Sequence, residues 1–462
     1  MKSLIIINEP LKDMALGRNT TLAYIVSCLA LGHEVFIYNL TTELPKSSSE
    51  TIKVTSLNDK KLNHSLIDNY AKINQQIMLA VESGVLETLN TLKISTFSKF
   101  FPQEIALENI ELSDIDFVIQ RLEPMKAPFP PIGTRDVNDI LTELKHLFPK
   151  CVFNCPINLG DKDTPLEIND LLKKKIATPT AEFKLGDQKL TKVLNEMVEQ
   201  YQVIYGGDNA KIVLKPKNSA QSLGVFAVNF TKNGLDLAKI KQKSVKELQE
   251  IQNYQIKDDL DVTDLETIIE ILCYIQNAPQ DRDEHIKDID PKTLFAIAKK
   301  LYKDEILVQP FLEGVKLGDI RSNLLKNSAG NFYLAGSTFR KSMRQETDNF
   351  TTTYSSGGAT SQPISILHQN EVRNLDARIT DILYILNNEL KEKYRNTIEL
   401  GLDFLLVGDD RNIFLGEINH HCQALIPISE AMARAVDKSG FYEGGLGLIK
   451  QAIKHSISMQ KS

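Results

Sequence analysis

The first forty residues alternate between short apolar runs and one amphipathic segment, and this pattern constrains the fold more than any other feature of the chain. Ser3 to Ile7 form an apolar run suited to a buried parallel strand. Thr20 to Leu31 carry apolar side chains at helical spacing, Gly32 can end that helix, and residues 35–38 form a second apolar run. A strand, a crossover helix and a second strand predict the start of a doubly wound α/β domain.

The rest of the chain divides by composition into three parts. A polar, serine-rich segment follows Thr41, after which residues 114–121 and 151–154 predict two more strands, with a helix near 136–148 between them. Beyond about residue 161 we expect a lysine-bearing helix at 166–175 and two strands joined by a turn between 212 and 229. Residues 231–300 are charged, glycine-poor and helical in character, and strands return at 306. The predicted domains are therefore 1–160, 161–305 with an insertion at about 231–300, and 306–462.

Length and composition exclude several classes of protein. A chain of 462 residues exceeds the size of a single hydrophobic core, and 42% hydrophobic with 25% charged residues is typical of globular proteins. A net charge of -6 is unlike that of a nucleic-acid-binding protein. The apolar run at the N-terminus is too short for a signal peptide, and no stretch approaches the ~20 apolar residues of a membrane span. Five cysteines, an odd count, indicate reduced thiols and a cytoplasmic protein.

A hairpin near the C-terminus carries the most informative polar residues. Residues 401–407 and 414–419 predict two strands, and Glu417 and Asn419 lie two apart, so both face the same side. Asp403 on the neighbouring strand can face them. Two carboxylates and an amide oxygen suit Mg²⁺ shared with phosphate. The alternative is an exposed polar face, against which the apolar neighbours of these residues argue.

Two further strands lie at or before candidate basic residues. Lys215 ends an apolar strand, where a lysine either meets an anion or reaches solvent along the protein surface, and a loop of small residues at 218–224 follows Pro216. A second strand, residues 306–312, breaks at Pro310, and such a break is suited to reading adenine. Arg321 and Arg340 follow as candidate clamps for phosphate or carboxylate, with surface ion pairing as the alternative.

Three features in this order resemble the pattern of the ATP-grasp superfamily: a lysine on a strand, a strand that breaks at a proline, and Asp…Glu-x-Asn. Further motifs resemble those of bacterial glutathione synthetases. The resemblance covers nearly the whole chain apart from 231–300. The additional motifs are Leu4 to Asn8, Thr20-Thr21, Gly32-His33-Glu34, Arg121-Leu122-Glu123-Pro124, Asn154-Cys155-Pro156, Thr178-Pro179 and Gly357-Gly358.

This resemblance implies a fold and an activity. The fold would be α/β: an N-terminal doubly wound pre-ATP-grasp domain, then an ATP-grasp fold of α+β character whose two subdomains clamp the nucleotide. The activity would be ATP-dependent joining of a carboxylate to an amine through an acylphosphate, most specifically γ-glutamylcysteine with glycine. ATP and Mg²⁺ or Mn²⁺ would be the cofactors. Small-molecule acids and amines would be the partners, in a cytoplasmic homodimer or homotetramer.

The resemblance also implies a role for each matched residue. Arg321 and Arg340 would be catalytic, and a loop at 341–358 would close over the intermediate. The metal ligands would be Asp403, Glu417 and Asn419. The nucleotide contacts would be Lys215, Gln309, Phe311, Leu312, Arg340 and Asn349. The substrate contacts would be Thr20, Thr21, Arg121, Arg321, Gly357 and Gly358.

Three departures from the glutathione synthetase pattern leave alternatives open. Ile168 stands where the family has a phosphate-binding lysine, unless Lys173, Lys174 or Lys175 substitutes in a shifted register. The loop at 217–224 has a single glycine, and residues 420–422 (His-His-Cys) replace small Ser/Thr residues at the amine site. A ligase with another amine acceptor and a non-catalytic ATP-grasp binding protein are therefore the two alternatives.

Overall fold

A computed structural model describes a large part of the chain. The described residues are 1–7, 11, 20–40, 45–82, 106–122, 142–144, 146–148, 152–154, 160–161, 163–184, 190–217, 226–231, 234–235, 305–327, 329–342, 359–395, 397–408, 412–420, 453–454 and 457–458.

The N-terminal region forms a six-stranded sheet of order β4-β3-β2-β1-β5-β6. Its strands are β1 (Lys2–Ile7), β2 (Glu34–Asn39), β3 (Thr51–Ser56), β4 (Leu107–Glu111), β5 (Phe117–Arg121) and β6 (Val152–Asn154), and its helices are α1 (Thr20–Ala30) and α2 (Lys60–Glu82). Strands β2, β1, β5 and β6 run parallel, and α1 connects β1 to β2. The predicted strand–helix–strand unit is confirmed, and Gly32 follows α1 with a φ of 78°.

The segment after Thr41 contains more structure than its polar composition indicates. Strand β3 pairs antiparallel with both β2 and β4, and α2 lies between β3 and β4 in the chain. In β3 only Ile52 and Val54 supply apolar contacts to the core, while Thr51 and Lys53 are exposed. A strand with one buried face and one solvated face alternates apolar and polar residues, so its sequence contains no apolar run.

The second sheet is antiparallel and has the order β11-β10-β9-β12-β8. Its strands are β8 (Ala181–Lys184), β9 (Ala210–Pro216), β10 (Phe226–Thr231), β11 (Gly234–Leu235) and β12 (Glu305–Pro310). Helix α4 (Leu190–Tyr205) packs on β8, β9 and β12. The two strands predicted between 212 and 229 are confirmed. The predicted helical insertion at 231–300 lies largely outside the described residues.

The third sheet has the order β15-β14-β13-β16-β17-β7. Its strands are β7 (Gly160–Asp161), β13 (Gly318–Lys326), β14 (Phe332–Ser342), β15 (Ala359–Pro363), β16 (Glu399–Leu406) and β17 (Ile413–Asn419), and its helices are α3 (Thr164–Leu172) and α5 (Gln369–Asn387). Both helices pack against one face over a core of buried Ile, Leu and Phe side chains. Residues 160–161 and 163–178 lie against this third sheet, through the β7–β17 pair and a bridge from Ala177 to Leu415.

Helix α1 joins the first sheet to the third. Its apolar side chains belong to one buried cluster that also contains Leu325, Ala335, Ile398 and Ile453 from the C-terminal part of the chain. The α/β fold class expected from the sequence is confirmed, while the domain boundaries remain predictions. Within the described parts of the chain, every helix is too short or too polar to span a lipid bilayer.

Candidate functional site

A row of polar side chains crosses three adjacent strands of the third sheet. Arg321 on β13 is opposite Asp403 on β16, which in turn is opposite Glu417 on β17. Asn419 pairs with Gly401 in the next row. Because side chains alternate along a strand, Glu417 and Asn419 share a face, as the sequence predicted.

Asp403 is the centre of this row. Arg321 donates to both of its oxygens, from Nε to Oδ1 and from Nη2 to Oδ2, the second at 2.9 Å. Nη2 of Arg340 lies 2.9 Å from Oδ1, and Nδ2 of Asn419 donates to Oδ2 at 2.9 Å. Burial raises the pKa of Asp403, but the neighbouring charges and hydrogen bonds of Arg321 and Arg340 outweigh it and hold the pKa below its usual range.

Arg340 also holds a second carboxylate, which the sequence analysis did not assign. Its Nε and Nη2 donate to the two oxygens of Asp319, each at 2.5 Å, and both side chains are 8% exposed. Asp319 and Arg321 lie two residues apart on β13, so they share the face of the row. The spacing within Gly318-Asp319-Ile320-Arg321 was the signal for Asp319.

Lys215 brings a further cation to the row from the second sheet. It lies on β9 opposite Leu307 of β12 and is buried. Burial lowers its pKa, while the charges of Glu417 and Asp403 act in the opposite direction. Lys215 of the second sheet therefore lies within electrostatic range of two carboxylates of the third sheet.

The donors present suit a cation that shares its ligands with phosphate. No group of three His, Cys, Asp or Glu side chains capable of holding a metal occurs among the described residues. Glu417 is half-buried, and within the described part of the chain it makes no hydrogen bond or ion pair. Mg²⁺ bound with nucleotide commonly takes one or two carboxylates from the protein and other oxygens from phosphate, so Glu417, Asp403 and Asn419 fit such an ion.

The residues expected to contact adenine lie at the end of β12. Gln309 is buried, and its Nε2 donates to Oγ1 of Thr180 at 2.7 Å. The N–H of Phe311 donates to the carbonyl of Lys211 at 2.8 Å, and Nζ of Lys211 lies 4.3 Å from the ring centroid of Phe311. Phe311 and Leu312 are both buried. The second sheet thus fixes the segment through which the chain passes to the third sheet.

The residues expected to bind the acid substrate form a buried network with a glutamate. Arg121 forms an ion pair with Glu399 of β16, and its Nε donates to Oγ1 of Thr21 at 3.2 Å. The hydroxyl of Tyr24 donates to the other oxygen of Glu399 at 2.8 Å. Arg121 and Glu399 are each 2% exposed. Thr20 is the first residue of α1. Glu399 was not among the residues predicted from the sequence, although a charged residue four positions before Asp403 on the same strand was a signal.

The structure also gives the positions of the residues that depart from the glutathione synthetase pattern. Ile168 is fully buried in the core of the third sheet. Lys174 pairs with Asp381 of α5 at 3.0 Å, and Lys173 ends α3 with a φ of 52°. His420 is buried after β17, with its ring centroid 5.5 Å from that of Tyr394. The lysines at 173 and 174 therefore lie on the outer side of the third sheet.

Several predicted positions lie outside the described residues. They are Asn349, Gly357 and Gly358, most of the loop at 341–358, the loop at 218–224, His421 and Cys422.

Comparisons with solved structures give distant likenesses. D-alanine–D-alanine ligase from Coxiella burnetii is 10% identical, with 100% of this chain and 96% of that chain covered and a TM-score of 0.44. D-alanyl-alanine synthetase A from Vibrio cholerae is 11% identical, with 99% and 98% covered and a TM-score of 0.45. L-amino acid ligase from Bacillus licheniformis is 12% identical, with 98% and 75% covered and a TM-score of 0.39. At these TM-scores, the likenesses bear on neither activity nor substrate.

Sequence comparison is more informative. No curated protein matches the chain. The profile of the YheC/D-like ATP-grasp family matches residues 188–437, which is more than half of the chain. This range includes Lys215 of the second sheet, the row of Arg321, Asp403 and Glu417, and the neighbouring Arg340 and Asn419. The chain therefore belongs to the YheC/D-like ATP-grasp family.

Proposed function

We propose that this protein is an ATP-dependent ligase that joins a carboxylate to an amine through an acylphosphate. The observation that carries the proposal is the meeting of Lys215 from the second sheet with the charged row of the third. Transfer of a phosphoryl group requires cations around its oxygens and a metal held by hard oxygen ligands. Both kinds of group occur in this row, and the family membership supports the use of ATP.

The residues of the row and their neighbours would have different roles according to their charge. Glu417, Asp403 and Asn419 would hold Mg²⁺, which supplies charge neutralisation to the β- and γ-phosphates when bound. Lys215 and Arg340 would hold the oxygens of the transferring phosphoryl group. Arg321 would orient the acceptor carboxylate or the acylphosphate, since a planar guanidinium binds the oxygens of either group with two parallel hydrogen bonds.

Residues outside the row would bind the remaining parts of the substrates. Gln309, Phe311 and Leu312 would hold adenine, and Asn349 would contact the nucleotide. Thr20, Thr21, Arg121, Gly357 and Gly358 are the candidates from the resemblance for the acid and amine. Closure of the loop at 341–358 would exclude water, which would otherwise hydrolyse the acylphosphate.

The identity of the amine is the most open part of the proposal. The narrow form is the joining of γ-glutamylcysteine to glycine. His420 favours another acceptor, because the first of the three residues that replace the family's small residues is a ring packed on Tyr394. A different amine would need a differently shaped pocket at the end of β17.

The test is release of phosphate from ATP and Mg²⁺ against a panel of acids and amines. Release with γ-glutamylcysteine and glycine would support the narrow form, and release with other pairs only would support a ligase of different specificity. Absence of turnover with every pair, together with binding of ATP, would favour the second candidate, an ATP-grasp binding protein. The burial of Ile168, where the glutathione synthetase pattern has a phosphate lysine, is the observation in favour of that candidate.

Glu417→Gln tests the metal assignment. The change keeps the shape of the side chain and removes the charge, so we expect turnover to fall at least about a hundredfold. The free energy of unfolding should change little, because the half-buried carboxylate makes no hydrogen bond to the described residues. Glu389→Gln on the exposed turn after α5 is the matched control. Near-normal turnover in Glu417→Gln would contradict the assignment.

A further inference from the structure

The two carboxylates assigned to the metal are not in the same state. Each oxygen of Asp403 takes two donors: Oδ1 has Nε of Arg321 and Nη2 of Arg340, and Oδ2 has Nη2 of Arg321 and Nδ2 of Asn419. A carboxylate oxygen offers about two lone-pair directions, so these four contacts use the capacity of Asp403. Glu417, in contrast, makes no hydrogen bond or ion pair with the described residues and interacts with Lys215 only through its field. A cation that binds without nucleotide would therefore find the lone pairs of Glu417 available and those of Asp403 already used by donors.

Among the described residues, the charges of the cluster balance without any ligand. Its cations are Lys215, Arg321 and Arg340, and its carboxylates are Asp319, Asp403 and Glu417. A divalent cation entering alone would have to displace a buried guanidinium from Asp403 or stay beside it. Either event is unfavourable, because like charges repel strongly where water is excluded.

Phosphate changes this balance. The triphosphate of a nucleotide brings several negative oxygens, and guanidinium groups bind such oxygens with two parallel hydrogen bonds. Arg321 and Arg340 could then leave Asp403 without losing a partner, and Asp319 would remain available to Arg340 during the exchange. Each oxygen of Asp403 freed in this way becomes a ligand for the cation.

We infer that Arg321 and Arg340 hold Asp403 closed to metal until nucleotide phosphate arrives, so that divalent cation and nucleotide bind with positive coupling. The inference rests on the proposed function, since it needs a metal–nucleotide site at this row. It adds an ordering: the metal alone binds weakly, through Glu417, and the arginines are the cause of that weakness. Removing an arginine should therefore strengthen binding of the metal alone, although it removes a residue assigned to catalysis.

The experiment measures Mn²⁺ alone, without nucleotide, from the loss of its free electron paramagnetic resonance signal on titration with protein. We expect weak binding to the wild type and binding at least about tenfold tighter to Arg321→Gln. Arg373→Gln on the exposed side of α5 removes the same charge at a distance and should leave the affinity within about twofold of the wild type, since exposed charges are screened. The gain should disappear when Asp403→Asn is added to Arg321→Gln.

Arg340→Gln gives an independent answer if Arg321→Gln does not fold, because it removes one donor from Asp403 and should also tighten Mn²⁺ binding. Equal Mn²⁺ affinity in the wild type and the folded arginine variants would overturn the inference. A gain that survives Asp403→Asn, or that Arg373→Gln reproduces, would overturn it as well.

A separate measurement keeps the proposed function distinct. If a non-hydrolysable ATP analogue with Mg²⁺ does not bind the wild type, the proposed function fails. If the analogue binds but the Mn²⁺ results go against the arginines, only the ordering fails. Tighter binding of Mn²⁺ to the variants, together with binding of the analogue with Mg²⁺ to the wild type, supports both.

Discussion

At the scale of single residues, the space above Gly401 determines where Arg321 can lie. Gly401 is on β16, two residues before Asp403, and a Cβ built on it would come within 2.7 Å of Nη1 and 3.3 Å of Cδ of Arg321. The arginine therefore passes over a strand position that has no side chain before it reaches Asp403. Space, rather than backbone freedom, is the reason for glycine here.

Gly401→Ala should consequently act through Arg321. Alanine in a strand is normally more stable than glycine by roughly 0.5–1 kcal/mol, but here the guanidinium must shift. We expect weaker binding of the ATP analogue with Mg²⁺, and a loss that is much smaller in an Arg321→Lys background, which lacks Nη1. The measurement is a double-mutant cycle, with a coupling of about 1 kcal/mol or more.

Gly416→Ala is the control for crowding in the same sheet. Its Cβ would come within 2.9 Å of Cγ and Cδ1 of Leu405 and would not contact Arg321, so its effect should be the same in the Arg321→Lys background. Additive losses from Gly401→Ala and Arg321→Lys would show that the glycine does not position the arginine.

At the scale of elements, Lys326 fixes the end of β13 to the turn after α5. Its Nζ donates to the carbonyls of Tyr394 at 2.5 Å and Arg395 at 3.0 Å, and the residue is 3% exposed. Burial lowers the pKa of Lys326 to about 8; Lys391 lowers it further, and Glu392 opposes the change. This lysine therefore loses its proton more easily in the folded protein than in the unfolded chain.

The contribution of Lys326 to stability should rise with pH. The pKa of Lys326 in the unfolded state is near the ordinary value of 10.5. Between pH 8 and 10.5 the unfolded chain therefore keeps a proton on Lys326 that the folded protein has lost. The free energy of unfolding of the wild type, relative to Lys326→Met, should increase by roughly 2–3 kcal/mol across that window. Urea unfolding of both proteins at pH 7.5, 9 and 10.5 measures this difference. A difference that is constant with pH would contradict the lowered pKa.

Elements were predictable where the pattern was local. The apolar runs at β1, β2 and β5 and the helical spacing of α1 were sufficient for the doubly wound start, and the two-residue spacing of Glu417 and Asn419 was sufficient for their shared face. Strand β3 was missed because only one of its faces is apolar. Helix α2 lies in a segment of polar composition, although the helical spacing of Leu62, Leu66 and Tyr70 was a signal for it. The pairing of β13 with β16 joins residues about 80 apart in the chain, and no local pattern contains it. The contact of Arg321 with Asp403 depends on that pairing.

At the scale of the whole molecule, one buried ion pair links the first sheet to the third. Arg121 ends β5 and Glu399 begins β16, and Thr21 and Tyr24 of α1 complete the network. Glu399 lies on the same face of β16 as Asp403, four residues away. The Arg121–Glu399 pair therefore helps to position the strand that carries Asp403, a proposed metal ligand. Because Arg121 is 2% exposed and paired with Glu399, an acid substrate would have to compete with Glu399 for its guanidinium.

Breaking this pair should destabilise the protein strongly. Arg121→Met leaves a buried carboxylate without its cation, and we expect a loss of about 3–5 kcal/mol in the free energy of unfolding. Arg121→Met combined with Glu399→Leu removes both charges and should recover most of that loss. Urea unfolding of the two single variants and the double variant gives the comparison. A double variant as unstable as the sum of the single losses would contradict an energetic link between these residues.

The cluster around α1 has a consequence for the timing of folding. Its side chains pack against those of the first sheet and also against Leu325, Ile398 and Ile453, and Ile453 is fully buried. During synthesis, the first sheet leaves the ribosome some 300 residues before Ile453 does. Until the C-terminal part of the chain has emerged, α1 lacks its described partners Leu325, Ile398 and Ile453. The nascent N-terminal region must therefore stay loosely folded, or be covered by a chaperone, until nearly the whole chain has been translated.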